Sequence, residues 1–367
     1  MSGAPATIRW PEASAGAGDA ASTTALARDA RIDAAKAVAI VMVVLGHAKG
    51  VPHTYTVLAY SFHVPLFFFL SGWVLEAHGS ARSYGASLLR LARVLLVPYL
   101  CFFLLGYGYW LLTRNVGEKA LRWGSQPWWE PLEGLFTGIG PKLYVHPAIW
   151  FLVALFVTTA VYIGWRRYWR AGVISLAVLV LAWVWIGLFP GYGIRLPFAL
   201  DILPVSLFFF AAGGAAANRL RLPESRWANL LIALALALPW LWLALGNGRV
   251  DINQLEFGIS PAKFFAAGLL GTAAVLCGAR LIQHWPAVQW IGRNTLLILC
   301  THILVFFVLS GVASLAGWFS GGERPGAGWA LLVTVVALAL SPLLRWAFIK
   351  FAPWAIGVRR GQNRNRA

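Results

Sequence analysis

Apolar residues recur along this chain in blocks of about 17–25 residues, separated by shorter polar segments. A helix rises about 1.5 Å per residue, so a block of this length can cross the roughly 30 Å of hydrocarbon in a bilayer. Two of these blocks, 171–188 and 230–245, are apolar on every face of a helix and leave no side for water. The pattern therefore predicts an all-α, polytopic transmembrane bundle and excludes a soluble protein with a large core.

About ten membrane-spanning helices are predicted, within a membrane-embedded domain at 31–352. They cover approximately 34–52, 57–78, 88–112, 147–164, 171–189, 197–217, 228–246, 262–281, 294–318 and 328–350. The segment 1–30 is rich in Ala, Gly, Ser and Thr and is predicted to be a disordered tail. No signal-peptide pattern precedes the first span, which is expected to act as an uncleaved anchor. The segment 353–367 is predicted to be a basic tail.

Charge gives the expected orientation of the spans. The chain is 59% apolar and 12% charged, with a net charge of +17. In a soluble protein such a charge would indicate nucleic acid as a partner. Here 21 of the 30 Lys and Arg residues fall in the terminal segments and in every second loop, which is the asymmetry of cytoplasmic segments. The bilayer is thus the expected partner, with both termini cytoplasmic and no nucleic acid bound.

The three cysteines, Cys101, Cys277 and Cys300, all fall inside apolar blocks. Their spacing fits neither a metal site nor a disulfide framework. We therefore interpret them as small buried hydrophobic residues.

Ionisable side chains inside membrane helices are costly and mark functional sites. The first span contains Lys36 and His47, eleven residues apart. At about 100° per residue they lie within about 20° of each other, and Asp33 lies within about 40° of His47. Over a rise of roughly 16 Å, one helix face should connect a cytoplasmic cation to a buried imidazole.

Two further histidines fall inside predicted spans. His63 enters the second span from the outside, where Pro65 should loosen the helix and Gly72 should allow close helix approach. His302 lies about nine residues, or roughly 13 Å, into the ninth span. Three imidazoles from three helices should reach similar depths and converge on one site. The alternative is three separately satisfied structural histidines.

The third span begins with Arg90-Leu-Ala-Arg93. Arginines at i and i+3 share a helix face and form a fork for anionic oxygens. From the spacing alone, an anchor to lipid phosphates is the favoured interpretation.

The one long outer loop, about 113–146, contains three tryptophans and a tyrosine: Trp123, Trp128, Trp129 and Tyr144. Exposed aromatic rings can stack on sugars, and this loop could contribute to acceptor binding. Trp and Tyr at this depth are also typical of an interfacial belt, which is the favoured alternative.

Several of these motifs, taken together and in order, resemble the acyltransferase 3 family of integral-membrane O-acyltransferases, which have about ten helices. The similarity is strongest to the branch similar to fucose 4-O-acetylases. It rests on Arg31-Ile-Asp-x-x-Lys36 with Gly46-His47, Phe62-His-Val-Pro-Leu-Phe-Phe-Phe-Leu-Ser-Gly72, Arg90-x-x-Arg93 with Val97-Pro98-Tyr99, Trp150-Phe151-Leu152, 208–213, and Ile291-Gly-Arg-Asn-Thr-Leu…His302.

The resemblance implies roles for particular residues. It makes His47 essential, with Lys36 as its basic partner, and it assigns the acyl donor to Arg90 and Arg93. Many family members have Arg at the position of Lys36, so bidentate phosphate recognition is less strongly implied there. Some members carry an extra esterase-like domain outside the membrane, and none is expected for this sequence. Transfer is therefore expected within the membrane domain.

The expected reaction transfers an acyl group, favoured as acetyl from acetyl-CoA, to a sugar hydroxyl of a surface polysaccharide or exopolysaccharide, or of its lipid-linked precursor. Acetyl-CoA is a co-substrate, and no tightly bound cofactor or metal is expected. His47 would act as general base or transient acyl carrier. His63 or His302 would orient it or stabilise the oxyanion. Lys36, Arg90 and Arg93 would bind the CoA phosphates at the inner rim of a bacterial cytoplasmic membrane, with Asp33 holding the cation.

Two other classes of protein stay open. A transporter can also carry midplane histidines, although the sequence shows no inverted repeat. A non-catalytic acyl-CoA-binding scaffold would use His47 only structurally. The sequence does not fix the acceptor sugar, acetyl against succinyl, or the oligomeric state.

Overall fold

The computed structural model describes residues 29–79, 83–116, 118–217, 219–318 and 325–358. Most of the expected N-terminal tail, Arg82, and the end of the expected basic tail lie outside these residues. The helices are α1 (Ala30–His47), α2 (His53–Tyr60), α3 (His63–His78), α4 (Tyr84–Thr113), α5 (Glu118–Trp123), α6 (Glu130–Thr137), α7 (Trp150–Arg166), α8 (Ala171–Leu188), α9 (Leu203–Ala217), α10 (Arg226–Asn247), α11 (Pro261–Ile282), α12 (Pro286–Arg293), α13 (Thr295–Leu315) and α14 (Ala327–Phe351). Strands β1 (Val250–Asp251) and β2 (Glu256–Phe257) pair antiparallel between α10 and α11.

Eight helical segments of the described chain are long and apolar enough to span a membrane. They comprise α2 with α3, then α4, α8, α9, α10, α11, α13 and α14. The other two predicted spans correspond to α7, an apolar helix of 17 residues, and α1, whose 18 residues include three charged side chains near its start. The protein is a multi-pass membrane protein, and the prediction of an all-α polytopic bundle is confirmed.

The second predicted span is two helices rather than one. Helix α2 ends at Tyr60 and α3 begins at His63. Phe62 between them has φ −146°, outside the helical range. The break puts Pro65 in the first turn of α3, where the missing N–H has no helical partner in any case. Proline is therefore accommodated by a break just before it, and His63 becomes the first residue of a new helix.

Helix α1 ends at His47, five residues before the predicted end of its span. Residues 48–52 are non-helical and lead into α2. Gly50 has φ +91°, and a Cβ there would lie 2.3 Å from the carbonyl oxygen of Pro325. The turn therefore needs glycine, both for its backbone conformation and for its close approach to the start of α14. As a result His47 occupies the last helical position of α1.

Helix α1 lies inside the bundle. It contacts α3, α11, α12, α13 and α14, as well as α2, which follows it. Asp33 and Ala35, on nearly opposite faces of the helix, are 2% and 0% exposed. A charged helix start is therefore enclosed by protein rather than by lipid, which is the arrangement that makes such residues tolerable.

Helices α3 and α9 approach through two glycines. A Cβ on Gly72 would lie 1.9 Å from the carbonyl oxygen of Phe210, and one on Gly213 would lie 1.9 Å from that of Phe69. The contact is reciprocal, so the two backbones touch at both positions. Small residues allow this approach in membrane bundles, and the prediction for Gly72 is confirmed. The contact fixes α3, and with it His63, against the rest of the bundle.

Replacing either glycine by alanine should destabilise the bundle, because a backbone carbonyl cannot move aside as a flexible side chain can. We expect Gly72→Ala and Gly213→Ala each to lower the free energy of unfolding by about 1–3 kcal/mol or more. The measurement is the midpoint for loss of monodisperse protein on heating in detergent. Gly278→Ala is the matched control, since a Cβ at this helical position meets nothing within 4 Å. Equal midpoints for all three variants would contradict the close contact.

Candidate active site

A cavity of about 400 Å³ runs along α1, and we call it the central cavity. Its wall includes Lys36 at one end of α1 and His47 at the other. The helix rise between them is roughly 16 Å. The face of α1 that the sequence singled out therefore opens onto continuous space. The remaining polar side chains of the wall are Tyr60, His63, Ser71, Asp251, Asn253, Gln254 and Thr295.

The imidazoles of His47 and His302 are in contact, with ring centroids 5.4 Å apart and planes tilted by 43°. His302 is 1% exposed. Its Nδ1 lies 2.9 Å from the carbonyl oxygen of Ile298, one turn back on α13. A carbonyl can only accept, so Nδ1 carries the proton and Nε2 carries the lone pair of the neutral ring. That Nε2 has no hydrogen-bond partner in the structure. His302 thus presents an acceptor nitrogen near His47.

His63 lies on the same cavity wall as His47. It is 5% exposed, and its Nδ1 donates to the carbonyl oxygen of Ala59 at 2.7 Å. The ring of Tyr60 packs edge-on against it, with centroids 4.7 Å apart. The break between α2 and α3 allows this arrangement, because it turns Ala59 and Tyr60 toward the first residue of α3. His63, like His302, keeps Nε2 as an acceptor in its neutral form.

The tautomers bear on the predicted roles of these two histidines. An oxyanion needs hydrogen-bond donors, and neither Nε2 is a donor in the neutral ring. An acceptor nitrogen can instead orient a neighbouring N–H or stabilise an imidazolium. Within the described part of the chain, no protein group hydrogen-bonds to the His47 ring, so its nitrogens are available to substrates. The geometry therefore favours orientation by His302 over oxyanion binding, and the catalytic roles themselves stay predictions.

A buried carboxylate organises the start of α1. Asp33 Oδ1 lies 3.9 Å from Lys36 Nζ, and its Oδ2 lies 3.4 Å from Arg293 Nε. Helix α12 reaches this position because Gly292 packs directly on the Asp33 backbone, where a Cβ would lie 1.9 Å from the carbonyl oxygen. Asp33 thus holds two cations at the Lys36 end of the central cavity.

The pair Arg90 and Arg93 lies outside the central cavity. Arg90 and Arg93 are exposed on the first turns of α4, and neither lines the central cavity. The next two residues, Val94 and Leu95, do line it. The structure therefore places the fork on the surface beside the cavity wall and does not bring it into contact with the histidines.

A third buried histidine, besides His63 and His302, was not predicted. His146 precedes α7, is 0% exposed, and donates from Nε2 to the carbonyl oxygen of Cys300 at 2.7 Å. Burial lowers the pKa of His146 to about 4, so the ring is neutral at physiological pH. His146 lies just before the predicted span 147–164, so the cost of an ionisable group inside a membrane helix did not mark it. The available signal was its position four residues before the Trp150-Phe-Leu motif.

A second cavity, of about 410 Å³, lies at the opposite end of α1 from Lys36, and we call it the loop-side cavity. The basic residues on its wall are Lys49, Lys119 and Arg122. In the described chain it shares only His47 and Pro147 with the central cavity. Among the described residues, His47 is therefore the one ionisable side chain that faces both spaces.

The predicted outer loop is partly helical, with α5 and α6 inside it, and its aromatic residues divide into two groups. Trp123 and Tyr144 line the loop-side cavity and stack in parallel, 4.5 Å apart and 6° from coplanar. Trp128 and Trp129 are each 57% exposed and line neither cavity. Burial and the Glu130 carboxylate, which accepts from the Tyr144 hydroxyl, raise the pKa of Tyr144 above its usual value. Only the first group is placed to contact a ligand in the loop-side cavity.

A multi-pass bundle whose central histidine opens onto two separate cavities has the arrangement of an integral-membrane group-transfer enzyme. Comparison with known protein families is consistent with this class. The family model of the acyltransferase 3 acyltransferase domain matches residues 29–346. The chain belongs to the acyltransferase 3 family and is a membrane acyltransferase. No curated protein and no solved structure matches it significantly.

If His302 orients His47, His302→Ala should lower the rate of acyl transfer by about 10²-fold without loss of protein from the membrane. His302→Gln should retain more activity than His302→Ala, because its amide keeps a hydrogen-bonding group near His47. The measurement is the initial rate of acyl-ester formation at equal membrane abundance. His78→Ala is the matched control, since His78 is exposed and lines neither cavity. A wild-type rate in His302→Ala would rule out the orienting role.

Proposed function

We propose that this protein transfers an acetyl group from acetyl-CoA to a sugar hydroxyl of a surface polysaccharide or exopolysaccharide, or of its lipid-linked precursor. The proposal places the chain in a bacterial cytoplasmic membrane with both termini in the cytoplasm. One observation carries it: His47 is shared by a cavity that reaches Lys36 and a cavity that reaches the loop at the other end. Donor and acceptor would enter from opposite sides and meet at that imidazole.

The chemistry of the proposal requires a base. An alcohol is a poor nucleophile toward a thioester at neutral pH until its proton is removed, and histidine is the side chain suited to that task. His47 would take the proton of the sugar hydroxyl while the oxygen attacks the thioester carbonyl. The C–S bond then breaks, and the CoA thiolate receives the proton from the imidazolium. The acceptor nitrogen of His302, near His47, would stabilise that imidazolium.

A two-step route is the alternative within the same proposal. His47 would attack the thioester carbonyl, release CoA as the thiol, and hold the acyl group as an acyl-imidazole. The sugar hydroxyl would then attack this carbonyl and regenerate the imidazole. The position of His47 between the cavities suits both routes.

On the donor side, the proposal assigns the CoA phosphates to cations at the Lys36 end of the central cavity. Lys36 is on the wall of that cavity and is held by Asp33. Arg90 and Arg93 lie on the adjoining surface: Arg93 directly precedes Val94 and Leu95, which line the same wall, and Arg90 is one turn earlier. A nucleotide outside the cavity mouth could contact the fork while the pantetheine arm extends inward.

The first test compares wild type with His47→Ala in a host that lacks this gene, at matched membrane levels. Acyl groups are released by mild base from purified surface polysaccharide and identified by mass. We expect acyl ester with wild type and with the His78→Ala control, and none with His47→Ala. Equal acylation in wild type and His47→Ala would remove His47 from the chemistry. Flux of a substrate that persists without acyl-CoA would instead favour a transporter.

The arginine fork supplies a separate prediction. If Arg90 and Arg93 bind CoA phosphates, replacing either by alanine should raise the KM for acetyl-CoA by about tenfold or more and leave thermal stability unchanged, because both side chains are exposed. The lysine variants should be intermediate, since lysine cannot make the bidentate contact. Arg170→Ala, at another exposed helix boundary, is the control. An unchanged KM would favour the lipid-anchor interpretation.

A further inference from the structure

The loop-side cavity has an uneven distribution of charge. Three cations line it: Lys49 and Arg122, which are exposed, and Lys119, which is half-buried. No carboxylate lines this cavity in the described part of the chain. The nearby carboxylate of Glu130 is engaged with the hydroxyl of Tyr144. The described part of the wall therefore carries three cations and no acidic side chain of its own.

The partners that the described residues supply to Lys119 and Arg122 are neutral. Lys119 Nζ donates to the hydroxyl of Tyr109 at 3.1 Å and to Thr113 Oγ1 at 3.0 Å. The guanidinium of Arg122 lies 4.6 Å from the ring centroid of Trp123. Aromatic faces and hydroxyls orient a cation but do not neutralise it. The ammonium and guanidinium are thus positioned and remain available to an anion.

The same wall carries groups suited to a sugar ring. The stacked pair Trp123 and Tyr144 forms a flat aromatic surface on which the C–H face of a pyranose can pack. Trp110 also lines the cavity and is 6% exposed, and its Nε1 is buried without a hydrogen-bond partner. A buried indole N–H normally has an acceptor, and an oxygen of a bound ligand would supply one. A lipid headgroup alone would not need the aromatic surface.

We propose that the loop-side cavity binds an acidic saccharide, whose carboxylate or phosphate pairs with Lys49, Lys119 and Arg122 while its sugar ring packs against Trp123 and Tyr144. The naming of this saccharide as the acyl acceptor depends on the proposed function, because it requires the reacting hydroxyl to reach His47. The binding itself requires no catalysis. The inference narrows the acceptor from sugars in general to glycans that carry negative charge.

The test measures binding to the full-length protein in nanodiscs of zwitterionic lipid, without acyl-CoA. The probes are a labelled tetrasaccharide containing glucuronate, the same tetrasaccharide with its carboxyl groups reduced to alcohols, a hexose 1-phosphate, and the free hexose. Equilibrium dialysis gives each Kd. We expect at least one anionic probe to bind about tenfold or more tighter than its neutral counterpart, with the difference falling as salt is added.

Substitutions show which side chains produce the preference for the anionic probe. Lys119→Gln combined with Arg122→Gln should abolish the preference for the anionic probe and leave binding of the neutral probe unchanged. Lys142→Gln is the matched control: this lysine is in the same connecting segment, pairs with Glu133, and lines neither cavity. Monodispersity on size exclusion confirms that each variant is folded. The wild-type comparison of charged with neutral probes needs no variant.

Three outcomes would overturn the inference: equal or absent binding of the charged and neutral probes, a preference that survives in the Lys119/Arg122 variant, or a preference that disappears when the nanodiscs contain anionic lipid. The last outcome would assign the cations to lipid headgroups. If the wild-type protein transfers no acyl group in the comparison with His47→Ala, only the proposed function is contradicted. The binding preference is measured without acyl-CoA and would stand. Acyl transfer without the preference would identify a neutral acceptor.

Discussion

The burial of the Asp33 carboxylate at the start of α1 is the constraint on which the site depends. An isolated ionised carboxylate in an apolar interior is costly, and it is tolerable only when cations and hydrogen-bond donors surround it. Lys36 and Arg293 supply the cations, from α1 itself and from α12. Helix α12 in turn reaches this position because Gly292 has no side chain to keep the backbones apart. The pairing fixes the register of α1 against the adjoining α13, and therefore the contact between His47 and His302.

Backbone contacts hold the other wall of the central cavity. Gly72 and Gly213 let α3 and α9 touch, and the break before Pro65 turns α2 toward His63. Helices in lipid gain little from burying apolar surface against each other, so close packing and hydrogen bonds must determine their arrangement. The central cavity is compatible with such a bundle because its walls are held together at a few close contacts. Between these contacts, larger side chains keep the helices apart.

Much of this architecture follows from the sequence, because a bilayer requires long apolar helices and makes internal charges conspicuous. The presence of each helix, and the shared face of Lys36 and His47, depend only on residues close together in the sequence. The periodicity of the sequence was therefore enough to predict them. The end of α1 at His47 was not predictable in this way, since it depends on a glycine turn that meets Pro325, far along the chain. His146 was missed for the same reason: its hydrogen bond to Cys300 spans 154 residues. The position of Arg90 and Arg93 outside the cavity also depends on packing that periodicity does not report.

The division between the two cavities depends on α13 as much as on α1. In the described chain, His47 and Pro147 are the only residues that line both spaces. Pro147 follows His146, whose ring is bonded to the carbonyl oxygen of Cys300, two residues before His302. Helix α13 therefore holds the partner of His47 and also anchors the segment that separates the cavities. In the proposed reaction a thioester and a hydroxyl meet from opposite sides, so the proposed base His47 and the partition must stay in register, because a gap between them would admit water as a competing nucleophile. Because α13 carries both the partner of the base, His302, and the carbonyl group that anchors the partition, that register is maintained even if the surrounding loops move.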